Sequence, residues 1–114
     1  MEGRILTILK YDIDIDTAVI DSDLNRLTNL IFKLLPLREE GEDWETPLSN
    51  IILELVGFFR LIKEKSLEDQ VKLLSIVSKL ESLYTLTEEK DFLSFRKIIF
   101  ECLGRMNQLK DVFR

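Results

Sequence analysis

The chain has 114 residues and a net charge of −5, with 46 % apolar and 32 % charged residues. This composition is typical of a single folded domain and excludes a mainly disordered chain. Histidine is absent, which excludes His-based catalytic triads and His metal ligands. No apolar run approaches the ~20 residues that span a bilayer. The single cysteine, Cys102, can form no intrachain disulfide, so we expect a cytoplasmic protein.

Residues 4–15 are predicted to form a single N-terminal β-strand or extended segment. From Leu9 onward, apolar residues alternate with charged ones, the period-two pattern of a half-buried strand. A lone strand needs a partner for its backbone groups, and the same strand of a second copy is the simplest one. The alternative is a helix over residues 4–10. The candidate residues for self-association are Leu9, Tyr11, Ile13 and Ile15.

Four helices are predicted after this segment, over about residues 18–35, 47–65, 67–85 and 88–113. Their apolar residues recur at spacings of three and four, which predicts a mainly α, four-helix bundle-like domain. Pro36 is expected to end the first helix, and Thr46 is expected to cap the second, with Pro47 in its first turn. The clearest stripes are Ile20, Leu24, Leu27, Ile31 and Leu34 in the first helix, and Phe92, Phe95, Ile99, Cys102, Met106, Leu109 and Phe113 in the last.

The second predicted helix is the most apolar part of the chain. Its apolar residues form an arc so broad that more than one neighbour must cover it, which predicts a central position in the bundle. Further apolar residues, Leu53, Leu61, Phe100 and Val112, fall off the main stripes. If such residues gather in one patch, they indicate an interface.

An acidic loop, Arg38–Glu45, surrounds the only tryptophan with five carboxylates. This combination predicts the binding of a basic protein partner around Trp44 as an aromatic anchor. The alternative is a solvated loop whose tryptophan packs on the core beside Leu37. The candidate partner-binding residues are Arg38, Glu39, Glu40, Glu42, Asp43, Trp44 and Glu45.

Carboxylates also raise the question of a divalent metal ion. The pairs Glu39 with Glu42 and Glu88 with Asp91 resemble, in spacing, the Glu-rich magnesium motifs of all-α nucleoside-triphosphate pyrophosphohydrolases. The resemblance implies an alternative function, a Mg-dependent hydrolase of nucleotide-like substrates. The segment 12–23 resembles a calcium loop in part, but Thr17 stands where the sharp turn needs glycine. We therefore predict neither a metal site nor a cofactor.

The predicted function is a small, acidic, non-enzymatic protein–protein interaction module that forms a homodimer and binds an unidentified protein. A variant of this hypothesis is an inhibitor that mimics the charge of nucleic acid. Binding to nucleic acid itself is not expected, because the chain is acidic overall. The cations of the last helix also do not share one face: they are Arg96, Lys97, Arg105, Lys110 and Arg114.

Overall fold

A computed structural model of the chain describes the backbone of residues 2–62 and 66–112 and the side chains of residues 20–59 and 66–112. Within these ranges the elements are the helices α1 (Glu2–Glu39), α2 (Glu45–Ile62), α3 (Leu67–Ser82) and α4 (Phe92–Val112). Two short 3-10 turns, Leu83–Thr85 and Glu89–Asp91, connect α3 to α4. The predicted mainly helical fold is confirmed.

The helices pack in a ring: α1 and α3 each contact both α2 and α4. Short connections place consecutive helices antiparallel, so the arrangement is an up-down-up-down four-helix bundle. Of the helices in the described ranges, none has both the length and the hydropathy needed to cross a membrane.

The core consists mainly of the predicted stripes. Each helix contributes three or more fully buried apolar residues, spaced three or four apart as a bundle-facing stripe requires. The buried side chains include Leu24, Leu27, Ile31 and Leu34 of α1, Leu48, Ile51 and Leu55 of α2, Leu73, Ile76 and Leu80 of α3, and Phe95, Ile99, Cys102, Met106 and Leu109 of α4.

The predicted N-terminal strand is not confirmed, because α1 begins at Glu2 and runs through residues 4–15. A helix satisfies its backbone hydrogen bonds within the segment, whereas a lone strand leaves them unpaired. The four residues predicted to mediate self-association, Leu9, Tyr11, Ile13 and Ile15, lie outside the described side chains.

The end of α1 differs from the prediction, because Pro36 lies inside the helix. The helix ends instead at Glu39 and is terminated by Gly41, whose φ of 74° is in the left-handed region that favours glycine. The Gly41 N–H donates to the Arg38 carbonyl (3.1 Å) and the Glu42 N–H donates to the Leu37 carbonyl (2.8 Å). These two bonds form a Schellman motif, which satisfies the last carbonyls of the helix and turns the chain towards α2.

The helix α2 is not central, contrary to the prediction. It contacts two neighbours, as every other helix of the ring does. One side of its apolar arc is therefore open to solvent, where Val56 is 51 % exposed, and Leu53, which falls off the arc, is 69 % exposed. The arc was broader than one bundle position can bury.

Candidate functional site

The acidic loop folds into the connection between α1 and α2, and Asp43 begins α2. The Asp43 Oδ1 accepts hydrogen bonds from the backbone N–H groups of Glu45 (3.1 Å) and Thr46 (3.1 Å). This is the pattern of an N-cap residue, so Asp43, not Thr46, caps the helix. Hydrogen bonds from the side chain and backbone of Thr46, with that from Glu45, hold the pKa of Asp43 below its ordinary value. The carboxylate of Asp43 is thus engaged within the chain.

Arg38 joins the end of α1 to the connection before α4. Its Nη2 donates to the carbonyls of Leu86 (2.7 Å) and Glu88 (2.7 Å), and its Nε also donates to Leu86 (3.1 Å). The guanidinium lies 4.8 Å from the ring centre of Phe95 and 5.4 Å from that of Phe92, within cation–π range. Arg38 therefore stabilises the fold in addition to lining the site.

Trp44 belongs to the core, with only 7 % of its surface exposed. Its ring meets Phe95 edge to face at 5.0 Å and stacks with Tyr84 at 6.4 Å between centres. Such offset and edge-to-face pairs are the favoured aromatic arrangements. The tryptophan packs as the alternative interpretation expected, while its remaining edge lines the surface described next.

A groove of about 920 Å³ lies between this connection and the start of α4. We call it the acidic groove, because carboxylates outnumber cations among the residues that line it. The residues that line it include Leu93, which is 74 % exposed. The lining residues are Arg38, Glu39, Gly41, Glu42, Asp43, Trp44, Glu45, Thr87, Glu89, Lys90, Phe92 and Leu93.

The structure thus brings six of the seven predicted partner-binding residues to one groove; Glu40 does not line it. Sequence reasoning missed the other wall, which is contributed by Thr87–Leu93. Leu93 carried a usable signal, because it follows Phe92 directly and cannot share the buried stripe of α4. The residue pattern of the sequence does not show that α1 packs antiparallel against α4. This packing brings the acidic loop and residues Thr87–Leu93 together.

The pair Glu88 and Asp91, which resembled a magnesium motif, forms a capping box at the start of the turn before α4. The Glu88 N–H donates to the Asp91 carboxylate (3.3 Å), and the Glu88 carboxylate lies 3.0 Å from the Lys90 Nζ. These contacts explain the spacing as a helix start. Among the residues that the structure describes, no group of three or more acids or cysteines is placed to hold a metal ion.

Cys102 is fully buried in α4. Burial raises the pKa of its thiol to about 12. A reactive cysteine needs the opposite setting, a lowered pKa and solvent access, so Cys102 packs as a small apolar residue.

Comparisons of the chain with protein-family models, with curated proteins and with solved structures found no match.

Proposed function

We propose that this protein is a non-enzymatic, cytoplasmic protein–protein interaction module whose acidic groove binds a basic and apolar segment of another protein. The observation that carries the proposal is the exposed Leu93 on a groove bordered by Glu39, Glu42, Glu45 and Glu89. The lining also holds the cations Arg38 and Lys90, but the carboxylates outnumber them. An apolar anchor beside charges that are mainly of one sign suits a partner of opposite charge. Self-association is a separate part of the same proposal.

Charge and chemistry define the segment that suits this groove. The acidic border favours Lys or Arg in the ligand, and Arg has the advantage that its guanidinium can bind a carboxylate with two hydrogen bonds. The apolar lining residues Phe92 and Leu93 favour an apolar side chain of the ligand between these cations. A groove of about 920 Å³ has room for a few side chains of a peptide.

The groove walls are held by the fold and need little ordering on binding. The Schellman turn at Gly41, the Asp43 cap and the Arg38 hydrogen bonds fix both walls. Pre-organisation of this kind reduces the entropy lost when a ligand binds.

The experiment is a selection of peptides from a displayed random library, with counter-selection against a groove variant. We expect the peptides retained by the wild type to carry Arg or Lys on both sides of an apolar residue. They should lose binding to the double variant Glu42→Lys/Glu89→Lys, while binding to the control Glu68→Lys, on the first turn of α3, stays intact.

The selected peptides then allow a quantitative test, because Trp44 lines the groove and is the only tryptophan. Peptide addition should change its emission, with an affinity that falls as salt is raised. Selection of acidic or purely apolar peptides, or equal binding by the groove variant and the control, would contradict the proposal.

A further inference from the structure

A second surface of the molecule has a different chemistry: large, exposed apolar side chains dominate it. Five of the exposed large apolar side chains lie on α2 and α3, which are adjacent in the bundle. We call them the α2–α3 face: Leu53 (69 % exposed), Val56 (51 %), Leu67 (75 %), Val71 (53 %) and Leu74 (51 %).

Helical register places these residues along the junction of the two helices. Ser49 of α2 hydrogen-bonds Tyr84 just after α3, and a depression of about 560 Å³ is lined there by Ser49, Leu53 and Glu81 with their neighbours. Val56 lies seven residues after Ser49, and Leu74 lies seven before Glu81. Residues seven apart share a helix face, so Val56 and Leu74 continue the same junction towards the α2–α3 connection.

Three of the described ionisable side chains near this face pair with other residues, while Glu81 lines its depression. Between Thr46 and Phe59 the only ionisable residue is Glu54, which pairs with Arg26 of α1 at 2.8 Å. On α3, Lys72 pairs with Asp69 (3.8 Å), and Lys79 pairs with Glu101 of α4 (2.7 Å). The exposed, uncharged polar residues near these apolar side chains include Ser49, Asn50 and Ser78.

We infer that the α2–α3 face binds the same face of a second copy of this chain. Two copies with a net charge of −5 each repel one another at the acidic surfaces, and a face dominated by apolar side chains is where they can approach. A basic partner would instead favour the acidic groove. The five side chains expose roughly 500 Å² of apolar surface, near the upper end for a monomer and a large part of the ~800 Å² per partner in a standard interface. In a dimer with a two-fold axis, each copy contributes the same face, so one such face per chain is sufficient to form the interface.

The test is the molar mass in solution, measured by sedimentation and light scattering over a concentration series. The variants are Leu53→Asp on α2 and Leu67→Asp on α3, each at a side chain already about 70 % exposed, so the monomer fold tolerates them. The control is Leu93→Asp, which makes the same chemical change at a leucine that is 74 % exposed on the acidic groove.

We expect a wild-type dimer whose dissociation constant rises at least about tenfold in each α2–α3 variant, because every substitution occurs twice across the two-fold axis. The control should dimerise as the wild type does. Thermal melts of all three variants serve to check that each one folds. A monomeric wild type would overturn the inference. So would a dimer that neither α2–α3 variant weakens, since that result assigns association to another surface, such as residues 4–15.

Discussion

Replacement of Arg38 tests whether this residue stabilises the fold, as its contacts indicate, in addition to lining the groove. Arg38→Met keeps much of the aliphatic stem but removes the hydrogen bonds to the Leu86 and Glu88 carbonyls. Hydrogen bonds from a charged group contribute about 1.5–3 kcal/mol, and a partly exposed cation–π contact adds about 0.5–1 kcal/mol. The Glu88 carbonyl is solvent-accessible and can rebind water, so we expect a loss of about 2–3 kcal/mol in the free energy of unfolding.

The assay is urea unfolding followed by the emission of Trp44, which is buried against Phe95 and should shift to longer wavelength on exposure. For a chain of this length the expected loss corresponds to a Tm lower by about 8–12 °C. Lys33→Met is the matched control, since it removes an exposed cation from the same helix and should change the stability by less than about 0.5 kcal/mol. An Arg38→Met variant that melts within about 2 °C of the wild type would refute the structural role.

Other properties of single groups are open to direct tests. The pKa of Asp43 is lowered in the folded state, so its contribution to stability is present above its ordinary pKa and is lost as the pH falls through the lowered one. Asp43→Asn, which can still cap α2, should flatten the pH dependence of Tm below about pH 4, and Asp43→Ala should lower Tm at neutral pH as well. Cys102, with its pKa raised to about 12, should react with a thiol reagent at pH 8 only after urea unfolding; rapid labelling of the native protein would contradict its burial. Millimolar Mg²⁺, Mn²⁺ or Ca²⁺ should leave Tm unchanged, whereas a bound ion at ~100 times its dissociation constant would add about 2.7 kcal/mol.

The helical core was predictable because periodicity is a local property. The spacing of Leu24, Leu27 and Ile31 gives one face of one helix, whatever packs against it, and all three are fully buried. The prediction that α2 lies at the centre of the bundle is wrong for the same reason. A helical wheel that includes Ile51 and Val56 shows how wide the apolar surface of α2 is. How much of that surface is buried depends on the number of helices that pack against it.

The candidate site was predictable on one wall only. The acids and Trp44 are contiguous in the sequence, so composition alone identified them. Leu93 and Glu89 are about 45 residues away along the chain and join the site through the packing of α1 on α4. Gly41 also carries a signal, because glycine after a run of helical residues commonly marks a helix end. Pro36, five residues earlier, is a competing signal in the sequence, but it lies inside the helix.

Gly57 and Gly104, exposed glycines inside α2 and α4, give a last test, of whether the surfaces of these two helices are free in the monomer. A Cβ added at Gly57 of α2 or at Gly104 of α4 would meet no atom within 4 Å, so alanine at either position gains helix propensity without a clash. Gly57→Ala and Gly104→Ala should each raise the free energy of unfolding by about 0.8–1 kcal/mol. Their effects should add in the double variant, since the sites share no contacts. A variant that is stabilised at low protein concentration but gains nothing at high concentration would show that its helix face is covered in the assembled protein. We expect Gly104 not to behave in that way, because the proposed dimer contact is centred on the leucines and valines of the α2–α3 face. Gly57 lies one helical turn after Leu53, so a loss at Gly57 alone would place it in that contact.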